Sequence, residues 1–265
     1  MTTLPINTLA FSKQAHLFAL ISNYAYLGKE EGEAKFEKLG FDAVLIDVNE
    51  SQAYVLNNSN DVIVACRGTQ PSEFKDIAAD LKANMVPSST GIGKVHYGFK
   101  TSVDNIWPML SEILSKYGKT KTIWCTGHSL GAAMATIVAY KSQRDPSMPN
   151  PQALFTYGSP KAGNKEYIKG IESIGVQHFR FVNNADIVTA VPLWPYGHFG
   201  GMYYMNHWGN IRTLTVKQLV KDRYRGFIKG VKRGQINFFT NHDINRYCEN
   251  LLKLSKGEKN PQAKI

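Results

Sequence analysis

Residues 122–139, TIWCTGHSLGAAMATIVA, constrain this chain more than any other stretch. The segment begins with β-branched and aromatic residues and ends in small, helix-forming ones, a pattern typical of a strand, a sharp turn and a helix. Ser129 lies at the turn between Gly127 and Gly131. We expect both glycines to be required, because side chains there would make the returning helix collide with the strand. A Gly-x-Ser-x-Gly pattern also arises by chance, so its partners elsewhere in the chain decide its meaning.

The elements around this stretch predict an α/β fold. Helical spacing is seen at 12–27, 72–82, 103–117, 165–174 and after residue 242, and strand patterns at 43–48, 52–57, 61–66, 153–157 and 177–182, with a loop at 87–93. Strands that alternate with helices indicate a mainly parallel central sheet with helices on both faces. Chemistry in such sheets gathers at the carboxyl ends of the strands. The length of 265 residues favours a single domain over 1–265.

The cysteines and the N-terminal segment bear on the cellular compartment. Cys66, Cys125 and Cys248 are odd in number, and the first two lie in predicted core strands, which favours buried free thiols over a disulfide or a metal site. The sequence begins with no basic and apolar leader, and no apolar run approaches the ~20 residues that cross a bilayer. The cytoplasm is the default prediction, and export without a signal is compatible with the sequence.

The net charge of +10 suggests an anionic partner. Much of the excess lies in the basic segment, residues 217–233, where Asp222 is the only acidic residue. A solvated basic face is the simplest interpretation, and peripheral contact with an anionic membrane or lipid interface is the alternative. We expect no nucleic-acid partner, because the chain contains no recognised nucleic-acid motif.

A serine hydroxyl becomes a good nucleophile when an imidazole takes its proton and an acid holds that imidazole. On a sheet of this type the chain order is serine, acid, histidine. Asp145 follows the nucleophile helix too closely, and Asp222 lies in the basic segment. Asp186 follows the strand HFRFVNN at its carboxyl end, so it is the predicted acid, with a turn-forming role as the alternative.

Three histidines lie beyond this acid: His198, His207 and His242. His242 directly precedes the amphipathic C-terminal helix, and a loop in that position can bring an imidazole to the sheet edge. His242 is therefore the predicted base and His207 the runner-up, with a structural role as the alternative for all three. His128 is expected to point away from the neighbouring serine and to pack.

The negative charge that develops on the substrate's carbonyl oxygen is stabilised by two hydrogen-bond donors, from backbone or side chains. The N–H of Leu130, directly after the nucleophile, is the first candidate. The second is expected from Arg67-Gly68-Thr69, which follows the strand at 61–66, and the Thr69 hydroxyl could add a further hydrogen bond. An ordinary strand-to-loop turn is the alternative for that tripeptide.

Seven motifs occur in an order that resembles the class 3 lipases, the fungal-type triacylglycerol lipases of the α/β-hydrolase fold: ACRGT, DIAADL, VHYGF, TGHSLGAAMA, YGSPKAGN, RFVNNADIVTAVP and NHWG. The resemblance implies Ser129 as nucleophile, Asp186 as acid and His242 as base. It places His207 in the family's structural histidine-glycine segment.

The same resemblance implies an oxyanion hole formed by Thr69 and Leu130, with Asp80 steadying the Thr69 hydroxyl. The chain departs from the family around the expected lid region, 70–93. Ile77 stands where the family often has tryptophan, and two extra residues lie near Pro71. Lid size and interfacial activation therefore do not follow from the resemblance, and the cysteines do not match the disulfide pattern of secreted members.

These features predict a serine carboxylic-ester hydrolase, a triacylglycerol lipase or carboxylesterase that acts on acylglycerols, related lipid esters or small esters through an acyl-enzyme. No metal or organic cofactor is implied. A phospholipase docking on anionic membranes is one alternative, and a non-catalytic binding domain is another, although the complete triad argues against it. The aromatic and glycine-rich segment 192–208 is either a packed loop or hairpin, or a wall of an acyl-chain pocket or a lipid-contacting rim.

Overall fold

The structure of the chain is a computed structural model that describes residues 4–68, 84–118, 120–212, 218, 221 and 240–257. The helices in these ranges are α1 (Phe11–Tyr24), α2 (Lys29–Lys38), α3 (Tyr97–Tyr117), α4 (Leu130–Arg144), α5 (Lys165–Ser173) and α6 (Ile244–Ser255), with short 3-10 helices at Ile6–Thr8 and Ile187–Ala190. The strands are β1 (Asp42–Val48), β2 (Ser51–Asn57), β3 (Asp61–Cys66), β4 (Met85–Pro87), β5 (Lys94–His96), β6 (Thr122–His128), β7 (Pro151–Tyr157), β8 (Gly163–Asn164), β9 (His178–Asn183), β10 (Tyr196–Gly197), β11 (Gly201–Met205) and β12 (Ile211–Arg212).

Eight of these strands form one sheet in the order β1-β2-β3-β6-β7-β9-β11-β12. The strands from β3 to β11 pair in parallel, and antiparallel strands close both edges. Cys66 pairs with Gly127, and His128 pairs with Tyr157, which itself pairs with Phe181. The last residues of four neighbouring strands therefore lie at one edge, and the predicted mainly parallel sheet is confirmed.

Hydrophobic clusters cover both faces of this sheet. Along β6, Cys125 belongs to the cluster under α3 and α4, whereas Trp124 belongs to the cluster under α1 and α6. This alternation follows from the two-residue period of a strand, which sends successive side chains to opposite faces. The prediction of helices on both faces is confirmed.

Some elements differ from the sequence-based expectation. The predicted helix at 103–117 begins six residues earlier, at Tyr97, and α2 was not predicted because Gly32 and Phe36 are its only buried residues. A second, four-stranded sheet, β10-β8-β5-β4, consists of strands of two or three residues, too short to show a period of two. The predicted helix at 72–82 lies outside the described residues.

All three cysteines are buried and free, which confirms the expected thiols. Burial raises the pKa of the Cys125 thiol to about 12, so this side chain stays protonated at neutral pH. Within the described part of the chain, no helix combines the length and the apolar composition that a membrane span requires.

The crossing of α4 over β3 and β6 leaves no space for a side chain at Gly131. A Cβ added there would lie 2.3 Å from the Cys66 carbonyl oxygen and 2.8 Å from the Arg67 carbonyl carbon, both of them backbone atoms. Because backbone yields less readily than a side chain, Gly131→Ala is expected to lower the free energy of unfolding by about 3 kcal/mol in chemical denaturation. Gly98→Ala is the matched control, since its Cβ would meet nothing nearer than 3.4 Å. Equal stability of both variants would contradict the close packing.

Candidate active site

Ser129 occupies the turn between β6 and α4 with a φ of 58° and a ψ of −131°. A positive φ in a residue other than glycine costs about 1–3 kcal/mol and persists only where the surroundings enforce it. The Ser129 N–H donates to the Tyr157 carbonyl oxygen at 3.0 Å. A Cβ on Gly127 would lie 2.4 Å from the Gly131 carbonyl oxygen. The expected need for both glycines is confirmed, because helix and strand touch at their backbones.

The Ser129 hydroxyl is buried and forms no hydrogen bond with any described residue. It lies at the N-terminus of α4, where the N–H of Leu130 has no intrahelical acceptor and the helix dipole favours negative charge. The Leu130 amide is therefore available to an oxyanion near the serine. Thr69 and Asp80, the other residues expected at an oxyanion hole, lie outside the described residues.

The structure brings Asp186 and His242 together. Asp186 caps the 3-10 helix Ile187–Ala190, and its Oδ1 accepts the Val188 N–H at 3.0 Å. The His242 Nδ1 lies 2.9 Å from Asp186 Oδ2 and 3.0 Å from Oδ1, and both side chains are buried. Because a carboxylate accepts, Nδ1 is the donor and Nε2 carries the lone pair that a general base requires.

Gly158 connects this pair to the nucleophile turn. It follows Tyr157, whose carbonyl oxygen holds the Ser129 N–H. A Cβ on Gly158 would lie 2.7 Å from Asp186 Oδ2 and 2.8 Å from His242 Cε1, so the imidazole packs directly against this glycine. The position of Gly158 directly after β7, at the carboxyl end of a parallel strand, is the sequence signal that could have identified it as a site residue.

Tyr247 is a site residue that the sequence did not reveal. Its hydroxyl donates to Asp186 Oδ2 at 2.6 Å and accepts the Asn183 N–H at 3.0 Å. Burial, and then the neighbouring carboxylate, raise the Tyr247 pKa well above its ordinary value, so the hydroxyl keeps its proton and remains a donor. The helical pattern placed Tyr247 only on the apolar face of α6, because periodicity does not show where a hydroxyl ends.

The other histidine candidates have different partners. The His198 Nε2 lies 2.8 Å from the Thr189 carbonyl oxygen, and burial, followed by the Arg180 charge, lowers the His198 pKa to about 3. His207 packs against Trp208 and lines a polar cleft of about 350 Å³. His198 and His207 therefore have structural contacts, whereas the histidine that binds Asp186 is His242.

His128 is buried, as expected for a packing residue, but it also forms hydrogen bonds. Its Nε2 lies 2.7 Å from the His242 carbonyl oxygen, and its Nδ1 lies 2.9 Å from the Tyr26 hydroxyl. Burial lowers the His128 pKa well below its ordinary value, so this ring is neutral. The predicted packing role is correct but incomplete.

Asp145, the other candidate acid that the structure describes, does not contribute to this arrangement. Asp145 follows α4 and accepts hydrogen bonds from Ser147, and Asp222 lies outside the described residues, as does most of the basic segment. Among the residues that the structure describes, no group of three His, Cys, Asp or Glu side chains could hold a metal ion.

A parallel sheet covered on both faces, with a serine on a strained strand-to-helix turn, defines an α/β-hydrolase. The sequence profile of the family described as Lipase (class 3) matches residues 63–196, about half of the chain. The chain belongs to the class 3 lipase family.

Two relatives illustrate the range of the family. A lipase of Rhizopus niveus is 33% identical over 166 residues, which cover 59% of this chain and 41% of the relative. The chloroplastic phospholipase A(1) DAD1 of Arabidopsis thaliana is 30% identical over 173 residues, which cover 58% of this chain and 38% of the relative. The chain thus spans about two fifths of the length of these relatives.

Solved structures support the fold. The triacylglyceride lipase of Rhizomucor miehei superimposes with a TM-score of 0.65 at 22% identity, over 73% of this chain and 79% of that one. A lipase of Rhizopus microsporus var. chinensis gives a TM-score of 0.63 at 21% identity, over 80% and 85% of the two chains.

The Tyr247 hydroxyl is expected to hold the Asp186 carboxylate in place for the histidine. Tyr247→Phe leaves a buried carboxylate with one donor fewer, so we expect kcat on a short-chain ester to fall about tenfold with little change in KM. Tyr157→Phe is the matched control, because it also removes a buried hydroxyl, one that donates to the Ala15 carbonyl oxygen. A kcat for Tyr247→Phe equal to that of the control would show that the hydroxyl contributes only to stability.

Proposed function

We propose that this protein is a serine carboxylic-ester hydrolase that acts on lipid acyl esters, with Ser129 as nucleophile, His242 as general base and Asp186 as the acid that orients it. The observation that carries the proposal is the buried contact between Asp186 and His242 Nδ1, in a class 3 lipase chain whose Ser129 lies on a strained turn. A binding domain would have no use for this combination of strain and buried charge.

The reaction proceeds through an acyl-enzyme. The Ser129 Oγ attacks the ester carbonyl carbon while His242 Nε2 takes the hydroxyl proton. The carbonyl oxygen becomes an oxyanion that accepts from the Leu130 N–H, and the family resemblance implies Thr69 as the second donor, with Asp80 steadying its hydroxyl. Collapse of this intermediate breaks the bond to the alcohol, which leaves with the proton from His242.

Water completes the cycle by the same steps. His242 removes a proton from water, the hydroxide attacks the acyl carbonyl, and the second intermediate releases the carboxylic acid as Ser129 regains its proton. Asp186 stabilises the imidazolium in both halves of the cycle. The Ser129 hydroxyl and the imidazole form their hydrogen bond when substrate fills the site.

Exposed apolar side chains that follow Asp186 in the sequence support a lipid substrate. Leu193 and Trp194 are 72% and 90% exposed and follow the 3-10 helix that Asp186 caps. They are suited to contact with a lipid surface, because exposed apolar side chains of this size favour transfer from water. Tyr196, two residues further on, is buried in β10, so Trp194 and Tyr196 have different roles.

A phospholipase is the second candidate. The similarity to a protein named phospholipase A(1) and the net charge of +10 favour it, since a cationic protein is attracted to anionic headgroups. The chemistry at Ser129 would be the same, and the two candidates differ in the alcohol that leaves.

Ser129→Ala removes the nucleophile and should abolish turnover of p-nitrophenyl esters from acetate to palmitate, by at least about 10³-fold in kcat. Release of p-nitrophenol is the measurement. Ser159→Ala is the control, because the hydroxyl of this buried serine donates to the Pro160 carbonyl oxygen and has no part in the proposed chemistry. Residual activity in Ser129→Ala close to wild type would refute the nucleophile.

The same preparations should be tested on emulsified triacylglycerol and on vesicles that contain anionic phospholipid. Faster fatty-acid release from the vesicles would favour the phospholipase, and faster release from the emulsion would favour the lipase. Absence of hydrolysis on all substrates, with folded wild-type protein, would favour the binding domain.

Leu193 and Trp194 should affect lipid surfaces and not the ester chemistry. The pair Leu193→Asp and Trp194→Asp is expected to lower hydrolysis of an emulsion about tenfold, while turnover of soluble p-nitrophenyl acetate stays within about twofold. Met109→Asp, at a 48% exposed position on α3, is the control for added charge. An equal loss on both substrates would contradict a surface role.

A further inference from the structure

The proposed base is held at its ring by Asp186 and at its backbone by a second histidine. His128 is the last residue of β6, directly before Ser129, and His242 lies in the loop before α6. The His128 Nε2 lies 2.7 Å from the His242 carbonyl oxygen, across 114 positions of sequence. One hydrogen bond therefore joins the nucleophile turn to the loop that carries the base.

The protonation of His128 follows from its two partners. A carbonyl oxygen only accepts, so Nε2 must carry the proton and donate to His242. The Nδ1 then carries the lone pair and accepts from the Tyr26 hydroxyl at 2.9 Å. Burial and the nearby His242 keep this ring neutral, which agrees with that tautomer.

The ring of His128 also limits the movement of the base. The two imidazoles lie with their centroids 4.5 Å apart and their planes 32° from parallel. Tyr26 is itself confined, since a Cβ on Gly68 would lie 2.4 Å from the Tyr26 hydroxyl and 2.8 Å from the His128 carbonyl oxygen. The path from Tyr26 through His128 to His242 is packed along its length.

We infer that His128 is a positioning residue for the reaction: it donates to the His242 backbone and fixes where the catalytic imidazole stands relative to Ser129. This rests on the proposed function. A structural filler would need the volume of His128 but not its donor, whereas a positioning residue needs a donor at the place of Nε2. The two roles are separated by variants that keep or lose that donor.

His128→Phe keeps a ring and removes both hydrogen bonds. We expect kcat on p-nitrophenyl butyrate to fall about 10- to 100-fold with KM within about twofold. His128→Gln places an amide N–H near the position of Nε2 and should recover most of the loss. His128→Asn places its amide near Nδ1 and should not, because that donor does not reach the His242 carbonyl oxygen.

His178→Phe is the matched control. His178 is also a buried, neutral histidine, with its Nε2 2.7 Å from the Thr156 hydroxyl, but it lies at the start of β9, away from the carboxyl ends of the strands. This variant should lower Tm and leave kcat within about twofold. A comparable loss of kcat in His178→Phe would overturn the inference, because any buried histidine would then have the same effect.

Two results at position 128 would also overturn it: a kcat for His128→Phe within twofold of wild type, or a kcat for His128→Gln as low as that of His128→Phe. If His128→Phe does not melt cooperatively, the comparison of Gln with Asn decides. Labelling of wild type by a fluorophosphonate separates this inference from the proposed function. An unlabelled, inactive wild type refutes both, whereas a labelled wild type with insensitive variants refutes the inference alone.

Discussion

Ser129 has a φ of 58°, a conformation that a residue with a side chain adopts only when neighbouring backbone enforces it. The enforcing contacts come from the two strands that neighbour β6. Gly131 touches the Cys66 carbonyl oxygen at the end of β3, and the Tyr157 carbonyl oxygen at the end of β7 accepts the Ser129 N–H. The conformation of the turn therefore depends on the order β3-β6-β7 in the central sheet.

The same sheet edge brings together the proposed acid, Asp186, and the proposed base, His242, from distant parts of the chain. The Asn183 side chain donates to the Asn241 carbonyl oxygen at 3.0 Å, which joins the end of β9 to the loop before His242. Tyr247 connects the Asn183 N–H with Asp186 Oδ2. Because these groups are buried, each hydrogen bond is costly to lose, and the network holds one geometry.

The candidate site is buried, whereas the segment that follows Asp186 exposes apolar side chains to solvent. Asp186, His242 and Ser129 are all buried, whereas Trp194, which follows Asp186 in the sequence, is almost fully exposed. A hydrogen bond to a carboxylate is strongest where water is excluded, and an apolar side chain can contact lipid only where it faces solvent. Asp186 and Trp194 meet these two requirements within one short stretch after β9.

The sequence by itself determined the strand-turn-helix at Ser129 and the α/β class, and it singled out Asp186 and His242, which the structure brings into contact. Local spacing, glycines in a tight turn and position at strand ends suffice for these features. Only the tertiary structure decided that the Tyr247 hydroxyl reaches Asp186, that the His242 imidazole packs against Gly158, and that His128 forms a hydrogen bond with the His242 backbone. Helical and strand periods specify which face a residue occupies, but such contacts join residues up to 114 positions apart and depend on how the elements pack. For the same reason the two-residue strands of the small sheet have no sequence signature, since pairing alone makes them strands.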